Sequence, residues 1–167
     1  GRARLIALIQ LALDCADPSL GERLPWAHMP LILCSREVQR PGANLTGVVG
    51  ALRFPQGATF SGQRAAHVAS GAASAIQAIA MARTYLAEPT AQACLILAAD
   101  SLIDARTLNW LDRSQRLKTS TQTDGVIPGE AVCLAIVSKA PMFGGAVQVH
   151  GLGLATEPAT VFNEEPF

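Results

Sequence analysis

Apolar positions along the chain follow two periods, and each change of period marks a new element. Between Arg2 and Ala16, Leu5, Ile6, Leu8, Ile9, Ala12 and Leu13 recur at helical spacing, which predicts a helix with one broad buried face, stopped by Asp17-Pro18-Ser19. Pro25 to Cys34 contains Met29-Pro-Leu-Ile-Leu-Cys34, a short apolar run that predicts an inner strand. Arg40 to Asn44 is turn chemistry, and the chain is irregular and glycine-rich from there to Gly62. Ala65 to Ala69 predicts a second strand. It leads into a run to about Leu86 in which Ala72, Ala75, Ile76, Ile79, Ala80, Met81, Ala82 and Leu86 are apolar almost all the way round a helix. A helix apolar on every face belongs in an interior, so this is predicted to be the buried, central one.

Ala93-Cys-Leu-Ile-Leu-Ala-Ala99, ending at Asp100, is the clearest strand. Asp104 then reads as an N-cap for a helix through Leu108, Trp110 and Leu111. Asp124-Gly125 marks a tight turn before Ala131 to Val137, predicted as another buried strand within Glu130 to Ser138. Ala146-Val-Gln-Val-His150 alternates and predicts a last strand. The order is helix, strand, strand, buried helix, strand, helix, strand, strand. Such alternation implies an α/β architecture: a mixed, mostly parallel sheet between helices, with the last two strands antiparallel.

Length sets the scale. At 167 residues the chain is one domain or half of a larger one. It opens on an apolar helix with no strand before it, and Val161 to Phe167 has no companion element. Residues 1–167 are therefore expected to be a piece cut at both ends, with Gly1 a cut point.

Thirteen Lys and Arg balance thirteen Asp and Glu, so no net charge draws the chain to nucleic acid or to an anionic membrane. Only 16% of residues are charged while half are hydrophobic. Part of the surface is therefore expected to be covered by a second domain or subunit, the alternative being an unusually apolar monomer. Cys15, Cys34, Cys94 and Cys133 show no Cys-x-x-Cys pair and no His at metal-ligand spacing, and three of them lie in predicted buried strands. Reduced core thiols, and with them a cytoplasmic location, are the expectation. His28 and His150 have no partner spaced for a metal, and neither a metal nor a cofactor is expected.

The chemistry, if there is any, gathers at the turn between the second strand and the central helix, His67-Val-Ala-Ser-Gly71. Small residues and Gly71 permit a sharp elbow there, and in several folds such an elbow presents a nucleophile. Three pieces, in order and at matching intervals from about Gln63 to Ser138, carry a resemblance to a known family. Val68-Ala-Ser-Gly-Ala-Ala-Ser-Ala-Ile76 is similar to an elbow-and-helix motif of the form Cys-Ala-x-Gly-x-x-x-Ala-Ile. Leu95-Ile-Leu-Ala-Ala-Asp100 is similar to a strand ending in small residues and an acid. Asp124-Gly-Val-Ile-Pro-Gly-Glu-Ala131 is similar to Asp-Gly-Phe-x-x-Gly-Glu-Gly. In these the chain resembles the amino-terminal half of the β-ketoacyl synthases, members of the thiolase-like superfamily.

The resemblance implies a thiolase-like fold, of which this chain would be one αβα half, and an acyltransferase of fatty acid or polyketide biosynthesis. It further implies acyl carrier protein or acyl thioesters as partners. It implies a homodimer, or a heterodimer with a related synthase, formed through the strand at about Arg64 to Ala69. The family nucleophile is an elbow Cys assisted by the positive end of the helix, with two further catalytic residues, His with His or Asn, supplied mainly by the second half.

This sequence departs from the pattern where it matters most. The nucleophile position falls on Val68, which cannot be acylated, and Cys94 belongs to another strand. Ser70 and Ser74 are possible substitutes if a base activates them, but Ser70 lies two residues beyond the position and Ser74 inside the helix. His67 invites a catalytic role, although a lone His on a small-residue strand is more often a core or interface residue. Gly71, Asp124, Gly125, Gly129 and Glu130 are read as structural, Asp124 in its turn and Glu130 bonded to backbone amides. Ala131 replaces the motif's last Gly, and Pro128 stiffens it. Asn44-Leu-Thr46 carries no weight as a glycosylation site in a cytoplasmic chain, and Trp26 and Trp110 are assigned to core or interface. The expectation is a synthase-like pseudoenzyme or scaffold; the alternative is an acyltransferase that dispenses with the usual Cys.

Overall fold

A computed structural model describes residues 1–16, 22–54, 60, 64–142 and 144–155. Its frame is a four-stranded sheet: β1 (Leu31–Cys34), β2 (Ala65–Val68), β3 (Ala93–Ser101) and β4 (Glu130–Ser138), in the order β2-β1-β3-β4. β1 runs parallel to both β2 and β3, and β4 is antiparallel to β3 over nine residue pairs. Helices α1 (Arg2–Asp14), α2 (Ser74–Ala87) and α3 (Ala105–Arg113) accompany it. The α/β class and the mixed, mostly parallel sheet agree with the alternation in the sequence. No helix among the described residues is long and apolar enough to cross a membrane.

Side chains of a strand alternate between faces, and the two faces of this sheet bury different partners. Leu31 and Leu33 of β1, and Leu95, Leu97 and Ala99 of β3, meet Leu5, Ile9 and Leu13 of α1 on one face. Val48, Leu52, Phe54 and Phe60 complete that core, with Trp26 edge-on to Phe60 at 6.4 Å. Ile32, Cys34, Val68, Cys94 and Ile96 turn to the other face and pack under Ala78 and Ala82 of α2. Helix, sheet and helix thus form three layers. Asp104 caps α3 as expected, its carboxylate accepting the Arg106 amide at 3.0 Å. The buried Thr107 hydroxyl donates to Pro41 O at 2.7 Å and ties α3 to the loop after β1.

Four expectations need correction. α2 is not buried on all sides: Ser74, Ala78, Ala82 and Leu86 form the buried stripe, while Ile76 is 41% exposed. A sheet offers a helix one surface, and no described element covers the other side. β4 is a half-exposed edge strand rather than a buried one, and it leaves Cys133 exposed; only Cys34 and Cys94 are core thiols. Ala146 to His150 forms no strand. The segment is exposed and, among the described residues, pairs with nothing, so the antiparallel pair is β3 with β4. Glu130 bonds to side chains, not to backbone amides: its carboxylate accepts from Arg4 at 2.7 Å and from the Ser101 hydroxyl at 3.0 Å. The stop at Asp17-Pro18-Ser19, parts of the irregular stretch to Gly62, and the tail Val161 to Phe167 lie outside the described residues.

Candidate functional site

The connection leaving β1 packs on the α1 face, whereas α2, which leaves β2, packs on the other. Two adjacent parallel strands whose connections part to opposite faces leave a crevice beyond their carboxyl ends, the usual position of a site in an open α/β sheet. Here that position holds Ser35 and the elbow.

Ser35 fastens the elbow to the sheet. Its amide donates to Val68 O at 2.9 Å, and its carbonyl accepts the Gly71 amide at 3.1 Å and the Ser74 hydroxyl at 3.0 Å. Gly71 has φ +59°, a left-handed conformation that disfavours any side chain, so the predicted sharp turn rests on this residue. A Cβ at Gly71 would also lie 2.9 Å from Glu37 Cδ, so the carboxylate of Glu37 closes directly over the turn. Ser70 and Ser74 are engaged in holding the same structure. The Ser74 hydroxyl, almost fully buried, also accepts the Ser70 amide at 2.9 Å, and the Ser70 hydroxyl donates to Gln77 Oε1 at 2.8 Å. Neither hydroxyl has a base beside it in these bonds.

Val68 sits at the end of β2, buried in the core beneath α2. A thiol does lie beside it, which sequence distance concealed. Cys34 is the cross-strand partner of Val68, and its Sγ is 3.5 Å from Ser74 O. Burial pushes the Cys34 thiol up to about 11, and it faces a carbonyl rather than a free amide, so it stays protonated and unreactive at neutral pH. Cys94 on the same face is pushed up to about 12 by burial and then by the proximity of Cys34. The amides of Ser70, Gly71 and Ala73 are all taken by internal acceptors, which removes donors that an oxyanion would need at the helix tip.

The pairing missed by sequence reasoning is Ser35 with His67. The Ser35 hydroxyl lies 2.7 Å from His67 Nε2 across β1 and β2. Partial burial lowers the imidazole pKa below its ordinary value and keeps the ring neutral near pH 7. A neutral imidazole at this distance can hold or take the hydroxyl proton. Also missed was the charge cluster beyond β1. Arg40 is only 4% exposed; its Nη2 donates to Asp100 Oδ1 at 2.6 Å, and its Nε lies 3.4 Å from Glu37 Oε2. Arg36 donates to the carbonyls of Glu37, Ala43 and Arg40, folding the loop around its guanidinium. A run such as Ser35-Arg-Glu37 immediately after a strand was the available signal.

The expected motif is divided by the fold. Register places Glu130 opposite Ser101, at the same end of the sheet as the elbow. Asp124 lies in its turn, accepting from Gln122 at 3.0 Å, and Gly125 packs against the backbone of Leu117 and Lys118. Gly129 accepts the Leu102 amide through its carbonyl at 2.8 Å. His28 ends the short turn Trp26–His28, and His150 lies on the exposed carboxyl-terminal segment. Among the described residues no three His, Cys, Asp or Glu side chains converge as a metal set. Asn44 Oδ1 accepts the Thr46 amide at 2.7 Å in a local turn. No family model, curated protein or solved structure matches this chain.

Proposed function

We propose that the chain is a β-ketoacyl-synthase-like subunit without the condensing chemistry, a thiolase-like half serving a cytoplasmic fatty acid or polyketide-type acyl system as scaffold or partner. The observation that carries the reading is the elbow itself. It has the left-handed Gly71 and the helix that a nucleophile turn uses, but its nucleophile seat holds the buried Val68, and the nearest thiol is a desolvated Cys34. Partners of the subunit are acyl carrier protein or a related synthase, the latter joined along the open edge of β2. Incubation with a labelled acyl thioester, followed by intact-mass measurement, tests it. No adduct, with binding to carrier protein or synthase, is the expected result; a stable acyl adduct refutes the non-catalytic reading.

A second reading, an acyltransferase acting on carrier-protein or coenzyme A thioesters, is favoured by the Ser35–His67 pair. In it Ser35 Oγ attacks the thioester carbonyl while His67 Nε2 takes the hydroxyl proton. The C–S bond then breaks, the acyl group remains as the Ser35 ester, and the proton leaves with the thiol. An adduct abolished by Ser35→Ala supports this reading, and one that persists in that variant excludes it.

A further inference from the structure

Two loose ends of the fold fit one another. β4 is the outer strand of the sheet, and among the described residues its far edge pairs with nothing over nine residues. Proteins blunt such edges with charge, proline or a bulge. β4 has none of these between Ala131 and Val137, and its register with β3 is unbroken. Val132, Leu134 and Ile136 supply apolar side chains on the α1 face, and small Ala131, Cys133 and Ala135 occupy the other.

The second loose end is residues 146–154 of the same chain. Its first part, Ala146–His150, alternates as a strand does, yet Val147 is 90% exposed and Val149 60%, with Leu152 and Leu154 further along also in solvent. Folding it back on its own β4 would suit a turn of two to five residues. The connection is instead longer and fastened. Lys139 Nζ donates to Glu88 O at 2.8 Å, Pro141 follows, and Met142 packs on the α1-side core while its carbonyl accepts from Arg23 at 2.9 Å.

We infer that residues 146–154 are a donated strand, and that their acceptor is the open edge of β4 in a second copy of this chain. The exchange is reciprocal, because each copy carries one donor and one acceptor, and it closes as a twofold dimer. Each sheet gains a fifth strand, the unpaired edge is removed, and the exposed valines gain cover. This interface goes beyond the acyl-handling reading and is separate from the β2 edge, which no change below touches.

The molar mass of the full chain and of a chain ending at Gly145 is measured by light scattering after size exclusion. Circular dichroism confirms that both are folded. The expected result is a halving of mass on truncation, reproduced by Val149→Asp in the full chain. Val147→Cys and Val149→Cys, each with Cys15→Ser, are expected to form disulfides between copies through the exposed Cys133 in at least one of the two. Equal masses for the full and shortened chains overturn the inference. So does a monomeric full chain, whether its 146–154 amides are protected by folding back or are unprotected.

Discussion

Replacing Gly71 by alanine would load the elbow in two separable ways. The left-handed φ of +59° costs an L side chain about 1–2 kcal/mol, offset by about 0.4–1 kcal/mol because alanine lowers the entropy of the unfolded chain. The new Cβ would also displace the Glu37 carboxylate, which faces the buried Arg40 Nε, an atom without a hydrogen bond of its own. Glu37 is partly exposed, so its withdrawal is taken as the loss of a partly screened ion pair, about 1 kcal/mol. Together these predict a destabilisation of about 2 kcal/mol for Gly71→Ala, read by urea unfolding with the fluorescence of the buried Trp26. The decisive measurement is the same substitution in a Glu37→Ala background. The clash partner is then gone, and the increment should fall to about 1 kcal/mol, a coupling of similar size between the two sites. Strictly additive effects would refute the account of Glu37 as the lid over the turn, and an alanine variant as stable as the parent would refute the strained elbow altogether.

Gly125→Ala meets backbone rather than a movable side chain, since its Cβ would lie 2.5 Å from Leu117 C and Lys118 N. It should open the Leu117–Val126 bridge, seen as faster amide exchange at Lys118 and Val126; unchanged protection would contradict the packing. In the native protein at pH 7.5, Cys15 and Cys133 should react with a thiol reagent, while Cys34 and Cys94 should react only on unfolding. Because burial raises the Cys34 and Cys94 pKa values from 9.0 to about 11 and about 12, the folded state favours the neutral thiols. Their contribution to stability is fully present below pH 9.0 and is lost as pH rises through the folded values; stability that is flat from pH 8 to 11 would count against this. His67 is shifted the other way. Its ring should titrate below 6.5 by NMR, and its contribution is lost as pH falls below that value; a midpoint at or above 6.5 would remove it as a neutral partner for Ser35.

Local chemistry made much of this fold legible. Helical spacing marked α1, short apolar runs marked β1 and β3, Asp104 marked the start of α3, and Gly71 marked the elbow, because each depends on residues within a turn or two of itself. What depended on distant partners was not legible. The all-apolar pattern of α2 predicted burial on every side, but burial requires a covering surface, and the sheet supplies only one. The alternation at Ala146–His150 predicted a strand, but a strand is completed by hydrogen bonds to another edge, and among the described residues this segment pairs with none. Cys34 and Val68, Ser35 and His67, and Arg40 and Asp100 are separated by more than thirty residues in each case and are joined only by parallel pairing or by the packing at the sheet's carboxyl end. Periodicity determined which segments became elements; register between strands far apart in the chain decided which side chains met at the elbow.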